Sequence, residues 1–262
     1  MRALAQSATA LVLLAPALLR AQTVETGFLN RTAAVGGHSY PYQVYLPATY
    51  ATNTAWPVIL FLHGAGERGS DGLLQTNVGL APAIRHDPTR YPAIVVFPQV
   101  PLDSQWVGAP ADAALLALRQ TMKEFHVDTD RVYLTGLSMG GHGTWYLAYR
   151  YPELFAAVVP ICGWVPEFPQ FRGSVPVVAP DSGPPLPALA RRLKAVPVWI
   201  FHGEMDQVVP VQNSRDAAAA LRDAGGNVQY TEHMGLDHNS WDATYGSKAF
   251  TDWLFAQHRT RK

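Results

Sequence analysis

Cysteine is almost missing from this chain: Cys162 stands alone among 262 residues. One thiol cannot close an intramolecular disulfide, so stability has to come from packing. Cys162 ends the apolar run 158–162 and reads as the buried terminus of a strand. Charge is scarce too. Charged residues make up 15% of the chain, and 20 Lys+Arg balance 20 Asp+Glu, so no basic field exists to attract nucleic acid. The nine histidines form neither an H-x-H nor an H-E-x-x-H pattern, which predicts no catalytic metal. No cofactor is expected.

Long apolar runs are also lacking, with one exception. Thr9 to Leu19 is rich in Leu, Ala and Val, follows the weakly positive start Met1-Arg2, and ends at Arg20-Ala21. A bilayer span needs about 20 apolar residues. The stretch is shorter than that and has the layout of a secretory signal peptide, with Ala21 as the cleavage position. Residues 1–21 are therefore set apart from the fold. The mature chain is expected to be secreted or periplasmic, with no membrane contact after cleavage.

What remains suits a single catalytic domain over residues 22–262. Apolar residues reach 48%, ample for a core, and 21 Gly with 21 Pro indicate many turns. Strand-like and helix-like stretches alternate. Tyr40 to Leu46 alternates like a strand with one solvated face, and Glu25 to Thr32 is its candidate partner. Val58–Leu62, Ala93–Phe97, Val132–Leu137, Ala156–Cys162, Pro197–Phe201 and Asn227–His233 read as further strands. The continuous apolar runs among them mark strands covered on both faces. Helical spacing appears over Ala111–Phe125, Gly140–Tyr149, Val211–Ala224 and Lys248–Gln257, and weakly over Gly72–Arg85. This pattern predicts an α/β fold with a mostly parallel sheet and helices on both faces. The loops after residues 62, 97, 137, 162 and 201 should then gather at one sheet edge.

One of those loops is Gly136-Leu137-Ser138-Met139-Gly140, G-x-S-x-G between a strand and a helix. A serine lifted off a strand end by such a turn is placed to act as a nucleophile, and the helix behind it aims free N–H groups at an oxyanion. A serine hydroxyl needs a base, and the base needs an orienting acid. Asp206, after Phe201-His202-Gly203, and His238, in Gly235-Leu-Asp-His-Asn-Ser-Trp241, follow Ser138 in the order Ser, acid, His. Asp181, Asp237 and Asp242 compete for the acid; His233 competes for the base but falls at a strand end. His202 and His63, each followed by Gly at a strand's end, read as structural. The N–H of Met139 and a donor from His63-Gly64-Ala65-Gly66 are expected to form the oxyanion hole, with Ala65 favoured and Gly66 next.

Residues 164–187 hold seven prolines, together with Trp164, Phe168 and Phe171, and read as an ordered lid or substrate wall. Trp106 and Gln99, from the loop after residue 97, are expected to join Trp164 and Phe168 in an aromatic-lined cleft for an aromatic acyl group or a sugar face. Glu67 and Arg68 suggest an internal ion pair holding the oxyanion loop, or else a contact to a substrate carboxylate.

Leu62-His-Gly-Ala-Gly-Glu-Arg-Gly69, Gly136-Leu-Ser-Met-Gly-Gly141, Phe201-His-Gly-Glu-Met-Asp206 and the His238-x-x-Trp241 ending together resemble an α/β-hydrolase. The branch resembled holds feruloyl and acetylxylan esterases, polyhydroxybutyrate depolymerases, dienelactone hydrolases, "predicted peptidases" and the prolyl oligopeptidase catalytic domain. Dienelactone hydrolases use a cysteine nucleophile, whereas Ser138 stands here. Prolyl oligopeptidases carry a propeller, and only eighteen residues, 22–39, separate the expected cleavage site from Tyr40. The resemblance implies a serine carboxylesterase working through an acyl-enzyme on short-chain or aromatic esters, free or linked to a polysaccharide or polyester. A small serine peptidase and an inactive binding protein on the same fold are the alternatives.

Overall fold

The computed structural model describes residues 24–171 and 173–259. The expected signal peptide, residues 1–21, lies outside the described residues. Among the described residues no helix is long and apolar enough to cross a membrane.

Eight strands form one sheet in the order β1-β2-β4-β3-β5-β6-β7-β8. They are β1 (Gly27–Val35), β2 (His38–Leu46), β3 (Trp56–Leu62), β4 (Ile94–Pro98), β5 (Val127–Leu137), β6 (Ala157–Ile161), β7 (Val198–Gly203) and β8 (Val228–His233). β2 runs antiparallel to both β1 and β4, and every other pairing is parallel. The expected fold class is therefore the one observed. Among the described residues, seven helices accompany the sheet: α1 (Leu80–His86), α2 (Ala109–Glu124), α3 (Met139–Arg150), α4 (Pro185–Leu193), α5 (Gln212–Asp223), α6 (Trp241–Tyr245) and α7 (Lys248–Phe255).

Both faces of the sheet are buried, and the parity of each strand shows how. In β3, Val58, Leu60 and Leu62 join the core beneath α2, α3, α4 and α5, while Ile59 and Phe61 join the core beneath α1, α6 and α7. Successive side chains of a strand point to opposite faces, so an uninterrupted apolar run is what a central strand needs. At about 25 cal/mol per Å² of apolar surface removed from water, this double burial is the main stabilising term.

Two expectations for the chain needed correction. The segment 164–187, read as a lid or wall, runs into a helix at its end, because α4 begins at Pro185. A helix tolerates proline in its first turn, where the N–H would have no partner in any case. The region Gly72–Arg85 divides into a single 3₁₀ turn at Leu74–Thr76 and α1, with Gly79 between them at φ +63°.

Candidate active site

Parallel strands point their carboxyl ends the same way, and the loops after β3, β5, β7 and β8 meet at that edge. β5 ends at Leu137, and α3 begins at Met139. Ser138 alone makes the turn, at φ +54° and ψ −118°, a conformation an L-residue adopts only when its surroundings impose it. They do so through close backbone approach. A Cβ built on Gly140 would lie 1.9 Å from the carbonyl oxygen of Leu62, so only glycine lets α3 approach the end of β3. The Ser138 N–H donates to the Ile161 carbonyl at 2.9 Å and fastens the turn to β6.

Ser138, Asp206 and His238 come together in a hydrogen-bonded chain. His238 Nδ1 lies 2.7 Å from Asp206 Oδ2, and His238 Nε2 lies 3.0 Å from Ser138 Oγ. An ionised carboxylate only accepts. Nδ1 therefore carries the proton, and Nε2 is left to accept from the serine hydroxyl. The loop bearing His238 is pressed onto the end of β7: a Cβ on Gly203 would lie 2.0 Å from the Asp237 carbonyl oxygen.

Asp206 sits in a buried cradle. Oδ1 accepts from the N–H groups of Val208 and Val209 at 2.8 and 2.9 Å. Oδ2 faces His238, and also His202 Nε2 at 3.1 Å. Burial on its own would raise this carboxyl. Hydrogen bonds from His202, His238 and the Val209 N–H outweigh it and hold Asp206 well below the usual carboxylate range. His202 is itself fully buried, with Nδ1 at 2.7 Å from Ser214 Oγ and Nε2 at 2.9 Å from the Val209 carbonyl. The sequence reading placed His202 as structural and missed its contact with the carboxylate. The i, i+4 spacing of His202 and Asp206 across a turn was the available signal.

The rivals lie elsewhere. His233 Nε2 pairs with Thr244 Oγ1 at 2.9 Å, and its ring stacks on Phe201. Asp237 binds the Asn239 N–H, and Asp242 accepts from the Asn239 side chain.

The loop after β3 is held as firmly. His63 is fully buried, and the Val100 N–H donates to its Nε2 at 3.2 Å. Its Nδ1–H therefore donates to the Gly64 carbonyl at 2.6 Å. Burial first, and the nearby Arg68 charge, push the imidazole down to about 4 against the Gly64 hydrogen bond, so it is neutral at ordinary pH. Ala65 begins a single 3₁₀ turn, Ala65–Glu67, and Met139 begins α3. The N–H groups of both precede any carbonyl partner in their own turns.

Four expected substrate contacts do not line a cleft. Trp106 has no exposed surface; its Nε1–H donates to the His63 carbonyl at 2.9 Å, and its side chain fills the space over Gly143. Gln99 is buried, accepting from the Gly72 N–H at 2.8 Å and donating to the Glu67 carbonyl at 3.1 Å. Trp164 is buried against His142, with ring centroids 4.8 Å apart, and donates to Ser174 Oγ. Phe168 is buried beside Trp164. These side chains pack the loops down instead of forming an open aromatic wall. The expected Glu67–Arg68 ion pair is absent as well. Burial pushes the Glu67 carboxyl up against hydrogen bonds from the Gly64 N–H and its own N–H, while Arg68 Nε–H donates to the Ala65 carbonyl at 2.8 Å. Cys162 is buried as expected, and burial pushes its thiol up, out of reach of thiolate chemistry.

A phospholipase/carboxylesterase family model matches residues 111–247. A bifunctional acetylxylan esterase/xylanase of Neocallimastix patriciarum is 27% identical over 191 residues, 69% of this chain, and the chain spans 23% of that relative's length. A carboxylesterase of Arabidopsis thaliana is 25% identical over 207 residues, covering 69% of this chain and 82% of the relative. Among solved structures, a thermostable esterase superposes with a TM-score of 0.75 at 36% identity, over 88% of this chain and 63% of that one.

Proposed function

Since the chain belongs to the phospholipase/carboxylesterase family, we propose that it is an exported serine carboxylesterase with Ser138 as nucleophile, His238 as base and Asp206 as orienting acid. The observation that carries this reading is the unbroken hydrogen-bonded chain from Asp206 through His238 to a serine held at φ +54°.

The Ser138–His238–Asp206 hydrogen bonds support the following course. His238 Nε2 takes the Ser138 proton as Oγ attacks the ester carbonyl carbon, and Asp206 steadies the imidazolium. Charge moves onto the carbonyl oxygen, which the N–H groups of Met139 and Ala65 would stabilise. Collapse of the intermediate breaks the C–O bond, and His238 returns the proton to the departing alkoxide. Water then attacks the acyl carbon as it gives a proton to Nε2, and His238 passes that proton to Ser138 Oγ as the acyl–Oγ bond breaks and the acid leaves.

Carboxylic esters with short or aromatic acyl groups, free or attached to a polysaccharide, are the proposed substrates; the acetylxylan esterase relative supports that range. Residues 1–21 would direct export, and residues 22–262 would form one catalytic domain with the segment 164–187 over its edge. Amide cleavage demands firm holding of the chain on both sides of the bond, whereas esters have a better leaving group. We expect p-nitrophenyl acyl esters to be hydrolysed with kcat/KM well above that for matched peptide p-nitroanilides. A peptide amide equal to the best ester would overturn the esterase reading in favour of a peptidase.

A further inference from the structure

One nucleophilic side chain takes no part in this chemistry, yet it stands beside the reacting groups. Cys162 follows β6 at φ +41°, and among the described residues Ser138 is the only other non-glycine residue at positive φ. Consecutive strand residues point to opposite faces, but Ile161 and Cys162 join the same core. The left-handed turn at Cys162 breaks the alternation. Its N–H donates to the Phe201 carbonyl at 2.9 Å and fixes the turn against β7. The thiol thereby reaches the triad. Cys162 Sγ, a carboxylate oxygen of Asp206 and a ring nitrogen of His238 all lie within 4.8 Å of one another.

A fourth group joins them. The Ser240 hydroxyl, from the loop of His238, lies against the thiol. Ser240 has no exposed surface, and its Oγ makes no hydrogen bond of ordinary geometry. An unpaired buried hydroxyl is costly, and a cation would satisfy its oxygen. Thiolate, imidazole and carboxylate are zinc donors, and zinc bonds of about 2.0–2.3 Å set tetrahedral donors about 3.5 Å apart. A small movement brings the cluster to that size. His238, its side chain 20% exposed, can make that movement and is the way in, since the Cys162 and Asp206 side chains are wholly covered. Sulfur and imidazole favour zinc over magnesium or calcium, which take oxygen. Burial, and then the Asp206 charge, keep the free thiol protonated, whereas a coordinated thiol gives up its proton.

A neutral imidazole carries one proton. If the cation takes Nδ1, that proton moves to Nε2; if it takes Nε2, the lone pair there is used. Either way Nε2 can no longer accept the Ser138 proton. The thiol proton leaves to water, and thiolate and carboxylate offset the two charges of the cation.

We propose that Cys162, Asp206, His238 and Ser240 form an inhibitory site for a thiophilic divalent cation, with Zn²⁺ the one it suits. The cation is an inhibitor and not a cofactor. Its effect on turnover rests on the carboxylesterase reading; its binding does not.

Chelator-treated protein tests this with Zn²⁺, Cd²⁺ and Mg²⁺, assayed on p-nitrophenyl acetate. Zn²⁺ and Cd²⁺ should stop turnover, and EDTA should restore it; Mg²⁺ at the same concentration should do nothing. Cd²⁺ should also give the ultraviolet absorption of a cadmium–thiolate bond, complete at one equivalent per chain. Cys162→Ser keeps the shape and removes the sulfur. It should lose that absorption and need about a hundredfold more Zn²⁺ for half inhibition, relative to its own metal-free rate; loss of an outer partner of a metal ligand alone can cost as much. Ser240→Ala should need about tenfold more. Unchanged Zn²⁺ inhibition in Cys162→Ser, or no cadmium–thiolate absorption in the parent protein, would overturn the proposal. A metal-free parent that hydrolyses no ester would defeat the esterase reading instead, and the absorption would still decide the site.

Discussion

The loops after β3 and β7 open on the same dipeptide, His63-Gly64 and His202-Gly203, and use it differently. Both imidazoles are fully buried, and both have each ring nitrogen engaged within the chain. His63 bonds only backbone, tying the Gly64 carbonyl to the Val100 N–H and so fixing the loop of Ala65. His202 bonds a serine hydroxyl, a carbonyl and the Asp206 carboxylate. One histidine shapes a backbone, and the other helps hold a charge. A buried imidazole is a rigid two-ended connector, and its partners decide whether its loss is felt in folding or in chemistry.

The comparison can be broken first on the β7 side. Asp206→Asn should lower kcat by about 10⁴, because the amide can hold the wrong tautomer of His238. His202→Ala removes one donor to the same carboxylate and should cost less, about tenfold in kcat, with KM little changed. A loss for His202→Ala as large as for Asp206→Asn would mean that His202, not His238, is the partner that matters, and steady-state kinetics on a p-nitrophenyl ester would show it.

The β3 side should respond through stability and pH. His63 is depressed to about 4 in the folded chain, against about 6.5 for an unfolded histidine. Below pH 6.5 the unfolded chain takes up a proton that the folded one refuses. Stability is therefore full above that pH and is lost as pH falls toward 4, on the order of 3 kcal/mol for this group. His142, also pushed down to about 4 by burial, adds to the same window. Asp206 acts lower: its depressed carboxyl gives stability above the unfolded value of about 3.9, lost only as pH falls further. Urea unfolding of His63→Gln between pH 7 and 4 should show a shallower decline than the parent. A parallel decline would remove His63 from the account.

Much of this was legible in the sequence, for physical reasons. Uninterrupted apolar runs such as Val58–Leu62 can only be central strands, and G-x-S-x-G between a strand and a helix leaves the serine few other conformations. Chain order and strand ends were enough to bring Asp206 and His238 to Ser138. Direction was harder. Trp106 and Trp164 read as cleft walls because composition does not say which way an indole points; each is turned inward, where its N–H meets an acceptor, the buried His63 carbonyl or the half-buried Ser174 Oγ. Glu67 and Arg68 read as a pair because they are adjacent, but Glu67 ends the 3₁₀ turn and Arg68 leaves it in extended conformation, with its Nε–H turned back to the Ala65 carbonyl. The helix α4 was hidden by Pro184, Pro185 and Pro187, residues that exclude a helix interior and suit a helix start.

The central claim is that Ser138 is the activated nucleophile. A fluorophosphonate that forms a stable adduct with activated serines, followed by peptide mass spectrometry, tests it most directly. The adduct should lie on Ser138 alone and vanish in His238→Ala. An adduct on another serine, or none on the folded protein, would contradict the account.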